Sequence, residues 1–145
     1  MKTIYTRNVE ETIELGKLIG HMMFSGAIIT LNGDLGAGKT TLTKGIALGL
    51  GVKRVVNSPT FTIMKVYDGR IPLYHMDVYR LDGIGFDYDL EDYLYGEGVS
   101  VVEWSDNIKD SLEGFLRIDI SIENGNRKFT LSTDDSRYNM ILEKL

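Results

Sequence analysis

Apolar and polar residues near the start of the chain alternate with the period of an α-helix. Five apolar residues share one face of this segment: Leu15, Leu18, Ile19, Met22 and Met23. Asn8, followed three residues later by Glu11, resembles a capping box, in which two side chains satisfy N–H groups at a helix start. We therefore predict a helix from about Asn8 to Ser25, ended by Gly26.

An unbroken apolar run, Ala27 to Leu31, follows this helix and is rich in β-branched residues. Such a run is typical of a strand that is buried on both faces, as in a parallel sheet. A glycine-rich segment comes next, and Leu42, Ile46 and Leu50 then recur at helical spacing. The pattern predicts a strand, a glycine-rich loop and a helix in direct succession.

Two pairs of strands are predicted in the rest of the chain. The β-rich runs Phe61 to Tyr67 and Ile71 to Val78 flank Asp68-Gly69, a dipeptide that tolerates positive φ in a tight hairpin turn. Apolar and polar residues alternate strictly from Leu116 to Ile122, and Asn124-Gly125 then turns the chain back. Both segments are predicted to be antiparallel hairpins.

Three further elements complete the predicted order. Val99 to Trp104 is predicted to be a second strand of the buried type. Phe86 to Tyr95 resembles a short acidic helix, and a terminal helix is predicted around Ser136 to Leu145. Strands and helices thus mix along the chain, as in the α/β class.

Composition and charge limit the classes of function. The 145 residues, 43% hydrophobic and 26% charged, predict a single globular domain over residues 1–145. The formal net charge of −5 argues against strong direct nucleic-acid binding, because no positive field attracts phosphates. The chain has no cysteine, and it has neither a membrane-length apolar run nor a signal-peptide core, so we expect a cytoplasmic protein that does not bind membranes.

The glycine-rich segment matches the Walker A pattern G-x-x-x-x-G-K-T. Its glycines let backbone N–H groups surround phosphate at a helix N-terminus. Lys39 can reach the β- and γ-phosphates, Thr40 offers a hydroxyl to Mg²⁺, and Thr41 can hydrogen-bond towards the α-phosphate. The predicted nucleotide-binding residues of this segment are Gly33, Asp34, Gly36, Ala37, Gly38, Lys39, Thr40 and Thr41.

A magnesium site beside such a loop needs an acid, and two predicted strands end in one. Asp77 ends the first strand, and Glu103 follows the second, which has the cleaner apolar run. We favour Glu103 as the Mg²⁺ partner, directly or through water, and Asp77 for orienting the attacking water or a switch segment. The spacing alone leaves the two assignments open. His75 is more typical of a structural histidine than of a base.

Four segments together resemble the TsaE (YjeE) family, small bacterial ATPases of tRNA threonylcarbamoyladenosine (t6A) biosynthesis. In the family's order they are GDLGAGKTT at 33–41, SPTFT at 58–62, HMDVYRL at 75–81 and VVEW at 101–104. The resemblance implies a P-loop NTPase-like fold, with a mixed, mostly parallel central sheet flanked by helices and carrying antiparallel hairpins. It also implies ATP and Mg²⁺ as ligands.

The resemblance extends to single residues. Thr40 and Glu103 match the family's metal-side residues, and Asp77 matches a position that it needs for activity. The predicted catalytic residues are Lys39, Asp77 and Glu103. Ser58, Thr60 and Thr62 lie in a switch-like segment, and Trp104 follows the acid as it does in the family. The adenine end is implied to lie near Val9, at the start of the first helix, and near Gly125 to Arg127 in the C-terminal hairpin.

No obvious arginine finger accompanies these residues, and such a residue is worth about 10³- to 10⁵-fold in rate. We therefore expect slow ATP hydrolysis by the protein alone, unless Arg80 or a partner supplies that charge. The resemblance implies the TsaD and TsaB subunits of the threonylcarbamoyl transferase as partners.

Other functions remain open at this point. A nucleotide-gated interaction module would use hydrolysis only for release. A small-molecule P-loop kinase would need a lid of clustered arginines, whereas Arg117, Arg127 and Arg137 are widely spaced. A GTPase is less favoured still, because 82–85 spells D-x-x-G but no Asn-Lys-x-Asp segment is present to recognise guanine.

Overall fold

The computed structural model of the protein describes residues 1–33, 38–53, 56, 64–77, 96–103 and 113–145. Within these ranges the strands are β1 (Lys2–Thr6), β2 (Ile28–Asn32), β3 (Met64–Tyr67), β4 (Leu73–Asp77), β5 (Val99–Glu103), β6 (Leu116–Glu123) and β7 (Asn126–Thr133). The helices are α1 (Val9–His21), α2 (Lys39–Gly49), a short 3-10 turn (Ser136–Tyr138) and α3 (Asn139–Lys144). None of these described helices is both long and apolar enough to span a bilayer.

The seven described strands form one sheet in the order β1-β7-β6-β2-β5-β4-β3. Its four central strands, β6, β2, β5 and β4, run parallel to one another. The outer pairs β3–β4, β6–β7 and β1–β7 are antiparallel. The predicted α/β class is therefore confirmed, with a parallel centre and antiparallel hairpins.

One face of the sheet carries the main apolar core together with α1 and α2. Alternate residues of the central strands, including Ile29, Leu31, Val101 and Ile118, are fully buried there. β2 and β5 are buried along almost their whole length, because they lie in the middle of a sheet that is covered on both sides. Their carboxyl ends meet at one edge, since β2, β5 and β4 are parallel.

The first helix is shorter than predicted. It ends at His21, not near Ser25, because the N–H groups of Met22 and Met23 bond to Ile19 and Gly20, three residues back, and so tighten the last turn. At its start, Asn8 accepts a hydrogen bond from the N–H of Glu11 at 2.8 Å, as the capping box predicts. The Glu11 carboxylate, however, bonds to the N–H of Arg7, not to that of Asn8.

The β3–β4 hairpin exists, but its predicted tight turn is wrong. Tyr67 pairs with Leu73, which leaves residues 68–72 as a longer loop, and the φ of Gly69 is not positive. Gly69 is required there for a different reason: a Cβ would lie 2.6 Å from the carbonyl oxygen of Leu50. The loop is thus held against the end of α2. Asn124 and Gly125, by contrast, both have positive φ in the β6–β7 turn, which agrees with the prediction.

Two other regions differ from the sequence prediction. The sequence pattern does not predict the strand β1, which pairs with β7 along the sheet edge. The terminal helix is divided into the 3-10 turn and α3, and Asp135 caps the turn through the N–H of Arg137. The predicted acidic helix at 86–95 lies outside the described residues.

Candidate nucleotide-binding site

The glycine-rich segment joins the end of β2 to the start of α2. Gly33 follows the last residue of β2, and a Cβ there would lie 2.5 Å from the carbonyl oxygen of Ile120 on β6. Gly38 is the N-cap of α2, with φ +116°, and no side chain caps this helix. First-turn N–H groups of a helix have no acceptor within the helix, so the start of α2 presents donors and a positive dipole end to an anion.

Lys39 is the first residue of α2, and it is only 6% exposed. Its ammonium donates a 2.7 Å hydrogen bond to the carbonyl oxygen of Gly33. A buried ammonium needs acceptors close by, and this bond supplies one from the opposite end of the loop segment. The lysine charge is therefore fixed between the end of β2 and the N-terminus of α2.

The two long helices run parallel and touch through glycine. A Cβ on Gly45 would lie 2.9 Å from the Cα of Gly16, and a Cβ on Gly49 would lie 2.9 Å from the Cα of Gly20. Equal spacing of the two contacts along both helices means that the helices have the same direction. Their N-termini consequently lie side by side.

A cavity of about 200 Å³ lies at these two helix starts. Val9 and Thr12 line it from α1, Gly38 and Thr41 from the start of α2, and Arg127 from β7. The Nε atom of Arg127 lies 3.8 Å from the position of a Cβ on Gly38. The structure thus brings the residues that are predicted at the adenine end, Val9 and Arg127, next to the end of the Walker A segment.

Arg7, which also lines this cavity, forms an ion pair with Glu11 of α1. The Glu11 carboxylate accepts hydrogen bonds from the backbone N–H of Arg7 at 2.8 Å and from its guanidinium at 3.1 Å. The backbone hydrogen bond, followed by the guanidinium, holds the pKa of Glu11 below its usual value of 4.5. Glu11 is thus held as a carboxylate whose charge is offset by Arg7.

The two predicted acids lie at the carboxyl edge of the sheet. Asp77 and Glu103 are opposite each other at the ends of β4 and β5, and Leu31, near the end of β2, is opposite Glu103 on the other side. This edge is where parallel α/β sheets bind ligands. The Walker A segment leaves β2 from the same edge, so both acids share its side of the molecule.

Glu103 is almost fully buried, and it has a buried partner. Its Oε2 atom lies 2.9 Å from Nε2 of His75, whose side chain is completely buried. Sequence reasoning predicts only a structural histidine at this position. The available signal is the two-residue spacing from His75 to Asp77, which places both on one face of a strand, but the pairing of β4 with β5 is needed to show the contact.

The remaining predicted site residues fall into two groups. Thr40 lies in the first turn of α2, next to Lys39. Eight others lie outside the described residues: Asp34, Gly36, Ala37, Ser58, Thr60, Thr62, Arg80 and Trp104. The switch-like segment, the tryptophan and the candidate activating arginine therefore stay predictions.

The parallel sheet centre and the strand–loop–helix unit with its lysine define an α/β protein of the P-loop type. A model of the family described as threonylcarbamoyl adenosine biosynthesis protein TsaE matches residues 6–130. The chain belongs to the TsaE family.

Individual relatives agree with this assignment. The tRNA threonylcarbamoyladenosine biosynthesis protein TsaE of Bacillus subtilis (strain 168) is 48% identical over 144 residues, which cover 97% of this chain and 90% of that protein. The protein of the same name from Treponema pallidum (strain Nichols) is 40% identical over 132 residues, which cover 88% of this chain and 97% of that protein. The crystal structure of YdiB from Bacillus subtilis superimposes with a TM-score of 0.84 at 44% identity, covering 98% of this chain and 91% of that one.

Proposed function

We propose that the protein binds ATP with Mg²⁺, hydrolyses it slowly, and thereby supports the formation of t6A in tRNA in the cytoplasm. The observation that carries the proposal is the 2.7 Å bond from Lys39 Nζ to the Gly33 carbonyl oxygen. It places a fixed positive charge at the N-terminus of α2, the position at which helices bind phosphate. The names of the relatives support the biosynthetic role.

The described residues fit a triphosphate with Mg²⁺. Glycine at the N-cap of α2 leaves room for phosphate to approach the backbone, and Lys39 supplies a cation for the β- and γ-phosphates. Thr41 lines the adjoining cavity, where it can bond towards the α-phosphate. Binding of this kind holds the nucleotide by charge and by main-chain donors, and it needs little from other side chains.

Thr40 and Glu103 are the proposed metal-side residues. Mg²⁺ usually binds to one or two carboxylates together with substrate phosphates and waters. The described residues contain no group of three His, Asp or Glu side chains that could hold a metal ion without phosphate oxygens. Mg²⁺ would supply charge neutralisation of the phosphate oxygens, and Asp77, opposite Glu103, would orient the attacking water.

The base belongs in the cavity between the two helix starts. Val9 offers an apolar wall, and the Arg127 guanidinium is a planar cation that can stack on a base or reach a phosphate. At about 200 Å³ the cavity suits part of a nucleotide, not all of it, which agrees with phosphates continuing along the Walker A segment.

Turnover by the protein alone should be slow. In this scheme Lys39 is the described cation that neutralises the β- and γ-phosphates. An arginine finger would raise the rate of hydrolysis by about 10³- to 10⁵-fold. We propose that Arg80 or a partner supplies this charge, and that the partners are the TsaD and TsaB subunits of the threonylcarbamoyl transferase. An ATPase that is slow alone would hydrolyse ATP, and so reset the catalytic cycle of the transferase, only when it is bound to these partners.

The proposal is tested by calorimetry of Mg-ATP and Mg-ADP binding to the protein and to Lys39→Ala. Loss of the buried ammonium should weaken binding by about 10- to 100-fold, the size of a hydrogen bond to a charged group. Lys44→Ala is the matched control, because Lys44 is exposed on the same helix. Absence of nucleotide binding by the unaltered protein would refute the proposal, as would equal affinities of the two variants.

A second measurement addresses the partners. Phosphate release is followed with the protein alone and with the TsaD–TsaB pair added. We expect turnover to rise by at least about tenfold with the pair present, because docking would complete the charge around the transferring phosphate. Rapid ATP turnover by the isolated protein, at tens per second, would contradict the proposal that the protein alone lacks an activating charge.

A further inference from the structure

His75 is buried beneath the carboxyl edge of the sheet, beside the proposed metal-side acid. Its side chain has no exposed surface, and its Nε2 atom lies 2.9 Å from Oε2 of Glu103, which is itself 4% exposed. Its other ring nitrogen, Nδ1, is buried and makes no hydrogen bond within the part of the chain that the structure describes. The bond to Glu103 is thus the polar interaction that holds the imidazole.

The strand register explains why this side chain reaches the acid. His75 is opposite Val101, two residues before Glu103 on the neighbouring parallel strand. Side chains two apart in a strand point to the same face, so His75 and Glu103 meet diagonally across β4 and β5. Asp77, two residues after His75, is directly opposite Glu103 on that face.

We propose that His75 is a positioning residue that orients the Glu103 carboxylate for magnesium. The Nε2–H group holds Oε2, so that the carboxylate keeps one rotamer and Oε1 is left for the metal side. Groups that hydrogen-bond to a metal-ligating side chain fix its orientation, and their loss typically lowers metal affinity or activity by about 10- to 100-fold. This inference rests on the proposed function, because it gives Glu103 the metal-side role.

A purely structural histidine would behave differently. Removing one partner of a buried polar pair destabilises a protein wherever the pair lies, so loss of stability does not distinguish the two roles. Only an orienting role predicts a selective change in how magnesium improves nucleotide binding. The test therefore measures ADP binding as a function of Mg²⁺ concentration, which requires no turnover.

Two variants of the full chain form a matched pair. In His75→Gln the terminal amide nitrogen can occupy the position of Nε2 and can still donate a hydrogen bond to Glu103. The side chain in His75→Asn is shorter and does not reach the Glu103 carboxylate. Both side chains are polar amides, and thermal denaturation of each variant checks that it is folded at the assay temperature. Lys65 lies opposite His75 on the neighbouring strand β3, so Lys65→Asn is the control for introducing an amide at this edge.

In His75→Asn we expect the Mg²⁺ concentration needed to improve ADP binding to rise by about 10- to 100-fold, while ADP affinity without metal is unchanged. In His75→Gln this Mg²⁺ concentration should stay close to that of the unaltered protein. In a Glu103→Gln background, His75→Asn should add no further change, because the oriented group is gone. Unaltered Mg²⁺ dependence in folded His75→Asn would overturn the inference, and so would a full effect in the Glu103→Gln background. If the unaltered protein bound no Mg-ADP at all, the proposed function itself would fail instead.

Discussion

Gly16 of α1 and Gly45 of α2 lie backbone against backbone, close enough that a Cβ on Gly45 would be 2.9 Å from the Cα of Gly16. Gly20 and Gly49 repeat this contact one turn further along. The contacts fix the two helices in a parallel arrangement and bring Val9 to the same cavity as Gly38 and Thr41. The shape of the proposed nucleotide site thus depends on glycines that do not line its cavity.

Gly45→Ala should therefore destabilise the protein. Alanine at an exposed helical glycine stabilises by about 1 kcal/mol, but here the methyl group meets the backbone of α1, and overpacking costs about 1–3 kcal/mol. Chemical denaturation measures the free energy of unfolding, with Lys44→Ala as the neighbouring exposed control. A variant as stable as the parent would show that the helices separate without cost.

Arg127→Ala should weaken ATP binding while leaving the fold intact. The guanidinium lies against Gly38 at the cavity, and a cation over a base is worth about 0.5–2 kcal/mol, which corresponds to roughly 2- to 30-fold in affinity. The measurement is calorimetric titration with Mg-ATP. Lys128→Ala is the matched control, because Lys128 forms an ion pair with Glu123 instead. Equal losses in the two variants would indicate only a general charge effect.

Glu103→Gln should abolish most turnover while nucleotide binding is kept. The amide keeps the shape of the side chain but lacks the negative charge for Mg²⁺, and the expected loss in rate is on the order of 10²-fold or more. Phosphate release and ADP affinity are measured on the same preparation. Glu123→Gln, at the exposed end of β6, makes the same chemical change away from the site and is the control.

The same variant separates the alternative functions. If Glu103→Gln still assembles with TsaD and TsaB in an ATP-dependent way, the protein works as a nucleotide-gated module whose hydrolysis drives release. Phosphate transfer to a metabolite by the unaltered protein would instead establish a kinase. If the variant hydrolysed ATP as fast as the unaltered protein, the assignment of Glu103 to the metal site would be wrong.

Asp135 should give the C-terminal segment an acid-sensitive contribution to stability. Its carboxylate bonds to the guanidinium of Arg137 at 2.8 Å and to the backbone N–H of Arg137 at 2.9 Å. The guanidinium first, and then the N–H group, hold the pKa of Asp135 below its usual 3.8. A lowered folded-state pKa means that the contribution is complete well above pH 3.8 and disappears as the pH falls through the folded value.

Asp135→Asn should accordingly unfold at a lower temperature than the parent at neutral pH, and the difference should shrink in acid. Thermal unfolding across this pH range measures it, with the exposed neighbour Asp134→Asn as the control. A difference that is the same at all pH values would assign the effect to packing and not to charge.

Several elements were predictable because their signals are local. The Asn8 cap, the buried runs of β2 and β5 and the Asn124-Gly125 turn each depend on neighbouring residues, and the structure contains all three. The helix end at His21 was not predictable from the apolar residues, since Met22 and Met23 continue the helical spacing but lie in a tightened turn.

Other features required contacts between distant segments. β1 has only five residues and partly exposed alternating side chains, so its signal is weak, and its strand character comes from pairing with β7. Gly69 resembled a turn glycine, whereas the structure requires it for close approach to Leu50. The pattern of apolar and polar residues within a segment does not show which distant segment it will contact.

The sequence by itself determined the α/β class, the strand–loop–helix unit around Lys39 and the acids that end two strands, because these follow from hydrophobic period and from spacing within a few residues. Only the tertiary structure decided that α1 and α2 are parallel, that Val9 and Arg127 share a cavity with Gly38, and that His75 bonds to Glu103. Those relationships depend on strand order and helix packing, which arise from burying many segments at once and are not encoded in any one of them.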